Sequence, residues 1–475
     1  MPRSIFLTPA VFGLLAGCTN VPDLGPAPVP ASATALASGA SYTDASGPWP
    51  AEGWWQGFGD AQLSTLIAEG LDGSPDVAIA AARLRAAEAL AQQAGSALSP
   101  RVVAEGSVGG VQQSKNLGIP PQFVPDGIQD TGHIAATFVF DLDLWGRNRS
   151  ALAAATSEVE AALVDAAQAR LMLTTAVASA YADLAGYHAA RDVAVEAVRV
   201  RTASADVSGA RARAGIENQA SERQAESRAA SSRADIVALN EAIALTRNRL
   251  AALVGAGPDR GLVITRPMLA RPPLGLPSGA GIDLIGRRPD IVAARLRAEA
   301  AAKRIDVARA DFYPNLSLSA LVGLQSLGLS NLFSAGSEYG NGGAAISLPM
   351  FDGGRLAGRY RGVRADYDIA VATYDRTLIG ALREVADIWQ SRAATDRQLA
   401  GRQEALAAAT EGAKLAGLRY RAGLSNQLDQ LTAEDNMVAL RRAVADLEAR
   451  RLSLDIALIR ALGGGYRSAN PTGDE

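Results

Sequence analysis

"GARARAGIENQASERQAE" runs from Gly209 to Glu226 and "GLRYRAGLSNQLDQLTAE" from Gly417 to Glu434, and the two align without a gap at an offset of 208 residues. Each centres on Arg-Ala-Gly and lies inside a long stretch that contains no proline, Trp145 to Gly257 in one case and Met350 to Asn470 in the other. Alanine dominates both stretches, and apolar residues recur at helical spacing, as in Leu163, Ala167, Leu171 and Thr174. The pattern predicts two long helical hairpins, each reversed at a glycine. Gly215 and Gly423 can take the positive φ that lets antiparallel helices turn back within a few residues. Arg211, Arg213, Arg419 and Arg421 then fall at helix C-termini, where the dipole favours cations. The outgoing arm of the first hairpin, from about Trp145 to Val207, has a rise of about 95 Å, and the return arm, from about Ile216 to Val254, about 60 Å.

Working outward, "PDVAIAAARLRAAEA" from Pro75 pairs with "PDIVAARLRAEAAA" from Pro289, and Pro100 pairs with Pro314, at an offset of 214. A period this large marks a duplicated domain-sized unit, since solenoid repeats run at roughly 20 to 50 residues. Helices are expected from about Asp72 to Leu98 and from Leu284 to Phe312, about 40 Å each, and stacking each end-on with a return arm would equalise the two sides of its hairpin.

Between those helices and the hairpins lie four stretches with a period of two. In "HIAATFVFDL" (133–142), Ile134, Ala136, Phe138, Phe140 and Leu142 share one face, with His133, Ala135, Thr137, Val139 and Asp141 on the other. "NLSLSALVGLQ" (315–325) and "AAISLPM" (344–350) alternate likewise, while glycines blur "RVVAEGSVGGVQ" (101–112). Pro349 requires the end of a strand or an edge. Strands of this length suit a tilted membrane β-strand. Four strands in lipid cannot stand alone, because an open edge leaves backbone donors unpaired in hydrocarbon. Other copies of the chain must complete the barrel, eight strands from two copies or twelve from three. A soluble α+β protein with one sheet polar on one face is the alternative.

The remaining composition excludes several classes. With 475 residues, 48% hydrophobic and 20% charged, the chain is structured over most of its length. Its net charge of −3 comes from 46 basic and 49 acidic residues spread without a basic run, which argues against nucleic acid as a partner. His133, His188 and Cys18 are the only imidazole and thiol side chains, so neither a metal cluster of soft ligands nor a disulfide framework is available, and no cofactor is expected. No set of nucleophile, base and oxyanion donor emerges, and "GAGP" (255–258) and "GGG" (463–465) carry no phosphate-binding fingerprint, so an enzyme is not expected.

At the start, Arg3, the apolar run "IFLTPAVFGLL" and "LAGC" ending at Cys18 are similar to a bacterial lipoprotein signal. This resemblance implies a signal peptide at 1–17, a diacylglycerol-bearing and palmitoylated Cys18 and, with Thr19 following, transport to the outer membrane. An ordinary secretory signal with a chance cysteine is the plainer reading. Prolines from Pro22 to Pro30, with Gly47 and Pro48, make 18–50 a stiff tether, with no globular domain before about residue 50.

"GWWQGFGDAQLSTLIAEGL" from Gly53, "FDLDLWGRNR" from Phe140, "SLPMFDGGRLAGR" from Ser347 and the two glycine corners resemble the TolC-like outer-membrane efflux family, specifically its lipid-anchored members serving RND pumps. The likeness covers about residues 50 to 465 and divides the chain into a first repeat at 51–280, a second at 281–465 and a tail at 466–475. It implies a homotrimer whose twelve strands, four per chain, close an outer-membrane β-barrel continuous with a periplasmic α-helical barrel. It also implies a passive exit duct for small solutes or drugs, with a periplasmic adaptor (membrane fusion) protein and an inner-membrane RND-type pump as partners. On this resemblance the tips Arg213, Ala214, Gly215, Arg421, Ala422 and Gly423 dock with the adaptor. Asp429, with Thr432 and Tyr420 nearby, lies at the periplasmic gate, where three carboxylates would form a ring. Some relatives carry an acid where this chain has Thr432, and Ser425 and Ser221 stand where charged partners can lock the closed mouth. A duct for type I protein secretion and a helical periplasmic adaptor or structural lipoprotein are the alternatives.

Overall fold

The computed structural model describes residues 21–32, 36, 42, 47–116, 118–272 and 274–468. The signal peptide and Cys18 therefore lie outside the described residues. The elements in chain order are α1 (Ala61–Gly73), α2 (Pro75–Ser96), β1 (Arg101–Val111), β2 (Gln129–Asp141), α3 (Arg147–Arg213), α4 (Gln219–Leu253), α5 (Pro289–Ala310), β3 (Asn315–Leu327), β4 (Glu338–Ser347), α6 (Arg355–Arg421) and α7 (Gln427–Ala461). Among the described residues no helix is long and apolar enough to cross a membrane.

The duplication holds to the residue: α3 and α6 each have 67 residues, and α4 and α7 each have 35. Two expectations need correction. The helices foreseen from Asp72 to Leu98 and from Leu284 to Phe312 are both interrupted, because Ser74 (ψ 126°) and Arg288 (ψ 119°) are extended. Each precedes a proline, whose ring clashes with a helical residue before it. The outgoing arm also runs on to Arg213 instead of ending near Val207, and the return arm begins only at Gln219, where Asn218 caps it.

The chain packs as two compact units. One combines the described residues of Met1–Pro30 with Leu84–Ala161 and Ala294–Tyr374, and holds an antiparallel sheet in the order β1-β2-β3-β4. Register fixes the faces. Val102 pairs with Phe138, Phe138 with Ala320 and Ala320 with Gly342, while Val108 and Ile134, Val322 and Ile346 fall on the same side at even spacing. The opposite face carries Glu105, Ser107, His133, Thr137, Ser317, Ser319, Gln325 and Asn341. One apolar face and one polar face is the alternation of a barrel wall between lipid and water. β4 starts earlier than the sequence suggested, at Glu338, and ends at Ser347, so Pro349 falls beyond it.

In the same unit the proline-rich residues 21–30 are tied down. Arg364 Nη2 donates to the Pro26 carbonyl at 2.6 Å, and the Tyr367 hydroxyl donates to Pro28 O at 3.0 Å. Of the stretch read as a tether, residues 25–28 are a strap against α6 at Arg364 and Tyr367.

The second unit combines Ala31–Arg83, Ala162–Ala293 and Asp375–Glu475. Its core gathers Trp54, Phe58, Leu63, Leu66 and Ile67 against Val177, Tyr181, Leu184, Leu250 and Ile456. Burying each of the large side chains contributes about 1.5–3 kcal/mol. Asp60 caps α1 by accepting from Leu63 N and from Gln62 N at 2.8 Å, and it also accepts the Tyr181 hydroxyl at 2.9 Å. Burial, with the Asp60 carboxylate beside it, pushes the Tyr181 phenol up. The "GWWQGFGD" signature is thus a folding element. The expected end-on stacking is present here as well. A Cβ on Gly255, just past α4, would meet the Gly73 carbonyl at the end of α1, and one on Gly463, past α7, would meet the Arg287 carbonyl.

Candidate functional site: the hairpin tips and the helices behind them

Both tips are built by one backbone device. Gly215 and Gly423 each have φ 70°. Ile216 N–H donates to Arg211 O at 2.9 Å and Leu424 N–H to Arg419 O at 2.8 Å, closing each outgoing helix with the same wrap. Asn218 (φ −86°) and Asn426 (φ −86°) then start the return helices, their side chains accepting from Ser221 N at 3.0 Å and Asp429 N at 2.9 Å. Such a cap is worth about 1 kcal/mol. Arg213, Ala214, Gly215, Arg421, Ala422 and Gly423 are all exposed, and nothing lies within 4 Å of where a Cβ on either tip glycine would stand.

The gate candidates sit on the second hairpin. Asp429 is exposed in the first turn of α7. The Thr432 hydroxyl donates to Leu428 O at 2.8 Å, and the Tyr420 hydroxyl to Gln427 Oε1 at 3.3 Å. Among the described residues Tyr420 and Asp429 share no hydrogen bond, so these two are neighbours along the turn and not partners.

Behind the tips, the structure joins the two hairpins through residues that the sequence reading passed over. Arg201 on α3 donates to Asp435 on α7 at 2.8 Å and to Ser232 Oγ on α4 at 2.8 Å. Two residues earlier, Arg199 bridges Glu196 at 2.8 Å and Glu434 at 3.2 Å. The Arg199 guanidinium holds the Glu196 carboxyl below the usual range. Beneath this lattice Val193, Ala197 and Val200 pack on Leu431 and Val438. A cavity of about 230 Å³ opens between α3, α4 and α7, lined by Arg201, Glu217, Ser221, Arg228, Thr432 and Asp435 among others. The available signal was "VRVR" (198–201) facing "AED" (433–435), charged pairs inside alanine-rich helices.

The arrangement offers two stiff helical ends with exposed backbone and arginines, and a polar, acid-bearing return helix held by a few ion pairs. Among the described residues no group of histidine, cysteine and carboxylate side chains could hold a metal.

The model of the family described as "Outer membrane efflux protein" matches residues 66–256 and 283–464. The chain is 35% identical to the fusaric acid resistance protein FusA of Burkholderia cepacia, over 97% of this chain and 88% of that protein. It is 31% identical to the multidrug resistance outer membrane protein MdtP of Escherichia coli K12, over 89% of this chain and 88% of that protein. Among solved structures, the outer membrane protein VceC of Vibrio cholerae matches with a TM-score of 0.81 and 41% identity, covering 88% of this chain and 100% of that one. The outer-membrane channel OprN matches with a TM-score of 0.79 and 29% identity, covering 94% and 98%.

Proposed function

The chain belongs to the outer membrane efflux protein family and is a channel protein of the outer membrane extending into the periplasm, and from that premise we propose that three copies form the passive exit duct of a pump-driven efflux system. The sheet carries this reading. It has one apolar face and one polar face, and both β1 and β4 present an unpaired edge. Neither edge can face hydrocarbon unpaired, so β4 of one copy must pair with β1 of the next. The fold is that of trimeric channels with a β-barrel and a helical barrel, and three sheets of four strands give twelve.

A duct of this kind has no catalytic groups and no cofactor; energy comes from an inner-membrane pump of the RND type through a periplasmic adaptor that meets the exposed tips at Arg213–Gly215 and Arg421–Gly423. The diacylglycerol on Cys18 anchors each copy. The names of FusA and MdtP, which point to fusaric acid and to multiple drugs, support small organic solutes as cargo. In the trimer the exposed Asp429 of each copy contributes to a carboxylate ring at the mouth, attracting cations. Thr432 and Tyr420 flank it.

Single-channel recording of the purified protein in planar bilayers tests this. We expect cation-selective openings, with Asp429→Ala lowering the cation-to-anion permeability ratio severalfold. Unchanged selectivity would remove Asp429 from the mouth, and a protein that stays monomeric in detergent at every concentration would overturn the duct itself.

A further inference from the structure

The strands end, on the side where the long helices begin, at Asp141, Asn315 and Ser347. Just past them come exposed apolar and aromatic side chains, Leu144, Trp145, Met350 and Phe351, as expected of a belt at the level of lipid headgroups. Trp145 is fixed there. Its ring stacks on Tyr313 at 4.8 Å and 23°, and its indole N–H donates to Pro314 O at 2.8 Å.

Beside this plate is a cavity of about 400 Å³ whose charged lining is Arg147, Arg355, Arg359, Asp143 and Asp311. The two carboxylates are already committed. Asp143 accepts from Asn148 N at 2.8 Å, Arg149 N at 3.0 Å and Arg149 Nε at 3.2 Å. Asp311, with its side chain 10% exposed, pairs closely with Arg359 at 2.6 Å and more loosely with Arg147 at 3.7 Å. No side-chain hydrogen bond holds Arg355 among the described residues, and its charge interacts with the neighbouring Asp352 carboxylate. Backbone amides do not supply the charge here, since Asp143 occupies those of α3 and Asp352 accepts Leu356 N at 2.7 Å at the start of α6. Three guanidinium groups against two carboxylates leave the cavity lining with excess positive charge next to an apolar plate, at the depth where phosphate diesters are the commonest anions. A guanidinium fork matches phosphate oxygens in pairs.

We propose that this cavity is a phospholipid site, in which Arg147 and Arg355 hold the headgroup phosphate and the Trp145–Tyr313 plate carries the glycerol and first acyl carbons. The site rests on the outer-membrane reading, so binding is to be measured on trimers that conduct like the wild type, which separates failure of the site from failure of the duct. The probe is short-chain phosphatidylglycerol titrated into the delipidated full-length protein and followed by native mass spectrometry. Inorganic phosphate and the diacylglycerol of the same chain length form the other arms. We expect the wild type to bind phosphatidylglycerol, and Arg355→Gln, which breaks no side-chain hydrogen bond among the described residues, to weaken it about tenfold, with Arg147→Gln weakening it further. Diacylglycerol binding as well as the phospholipid would overturn the proposal by making the site merely apolar. Inorganic phosphate displacing the lipid at similar concentration would overturn it in favour of a small-anion site, and wild-type lipid affinity in both variants would remove the arginines from it.

Discussion

The two hairpin tips share a backbone and differ in what locks it. At the first, Arg211 donates to Glu217 at 2.8 Å, a partly buried pair that ties the outgoing helix to the turn. At the second, the equivalent positions are Arg419 and Ser425, with no ion pair between them, and the buried Ser425 hydroxyl has no hydrogen-bond partner. The second tip instead places Asp429 where the first has Ser221, and Tyr420 where the first has Ala212. Duplication thus preserved the turn and redistributed the charge. One tip is fastened within itself, while the other keeps its arginine and its carboxylate available to partners outside the hairpin.

If backbone equivalence is real, the largest effect is symmetric. Gly215→Val and Gly423→Val each force a β-branched residue to φ 70°, at a cost of about 1–2 kcal/mol. Hydrogen exchange in the peptides spanning each tip should accelerate by a similar factor in both, and a response confined to one tip would break the comparison. An exchange of locks gives a smaller and opposite pair of effects. Glu217→Ser should loosen the first tip and Ser425→Glu tighten the second against Arg419, by up to about 1 kcal/mol each; if exchange at the second tip is unmoved, Arg419 is held by something other than geometry.

The smallest effect is titration. His188 on α3 corresponds to Asp396 on α6, which is bound by Arg451 at 2.7 Å. Burial lowers the His188 pKa, helped by Arg247, Arg266 and Arg191 and opposed by Asp192. An imidazole that is harder to protonate when folded contributes stability above its ordinary pKa near 6.5, and that contribution is lost as pH falls below it. The midpoint of unfolding should therefore fall with acidification through that range in the wild type, and less so in His188→Gln. Equal slopes would mean that His188 titrates freely.

What the sequence made readable was whatever depends on neighbours along the chain. Gly215, Gly423, the arginines before them, the alternation in 133–142 and the long proline-free arms are local patterns with one physical solution each. The interruptions at Ser74 and Arg288 were written in Pro75 and Pro289, but the helical periodicity on either side hid them. What stayed hidden is contact between distant segments. That β2 pairs with β3 across the long insertion between them, that Arg199 and Arg201 reach Glu434 and Asp435, and that the strap at 25–28 follows α6 are all decided by tertiary packing. Arginines along alanine-rich helices offer many equivalent partners, and periodicity does not choose among them. Asn218 and Asn426 are a different case, since a capping asparagine immediately before a polar first turn is a local signal that the glycine corner overshadowed.

The unpaired margins of the sheet also have a genetic consequence. In the proposed ring each copy would supply β1 to one neighbour and accept another with β4, so a copy with a damaged margin but sound helices would still be drawn into the ring and leave it unsealed. Substitutions along Arg101–Val111 or Glu338–Ser347 should accordingly be dominant over a normal allele expressed in the same cell, whereas a change that unfolds the whole chain removes it from the pool and should be recessive.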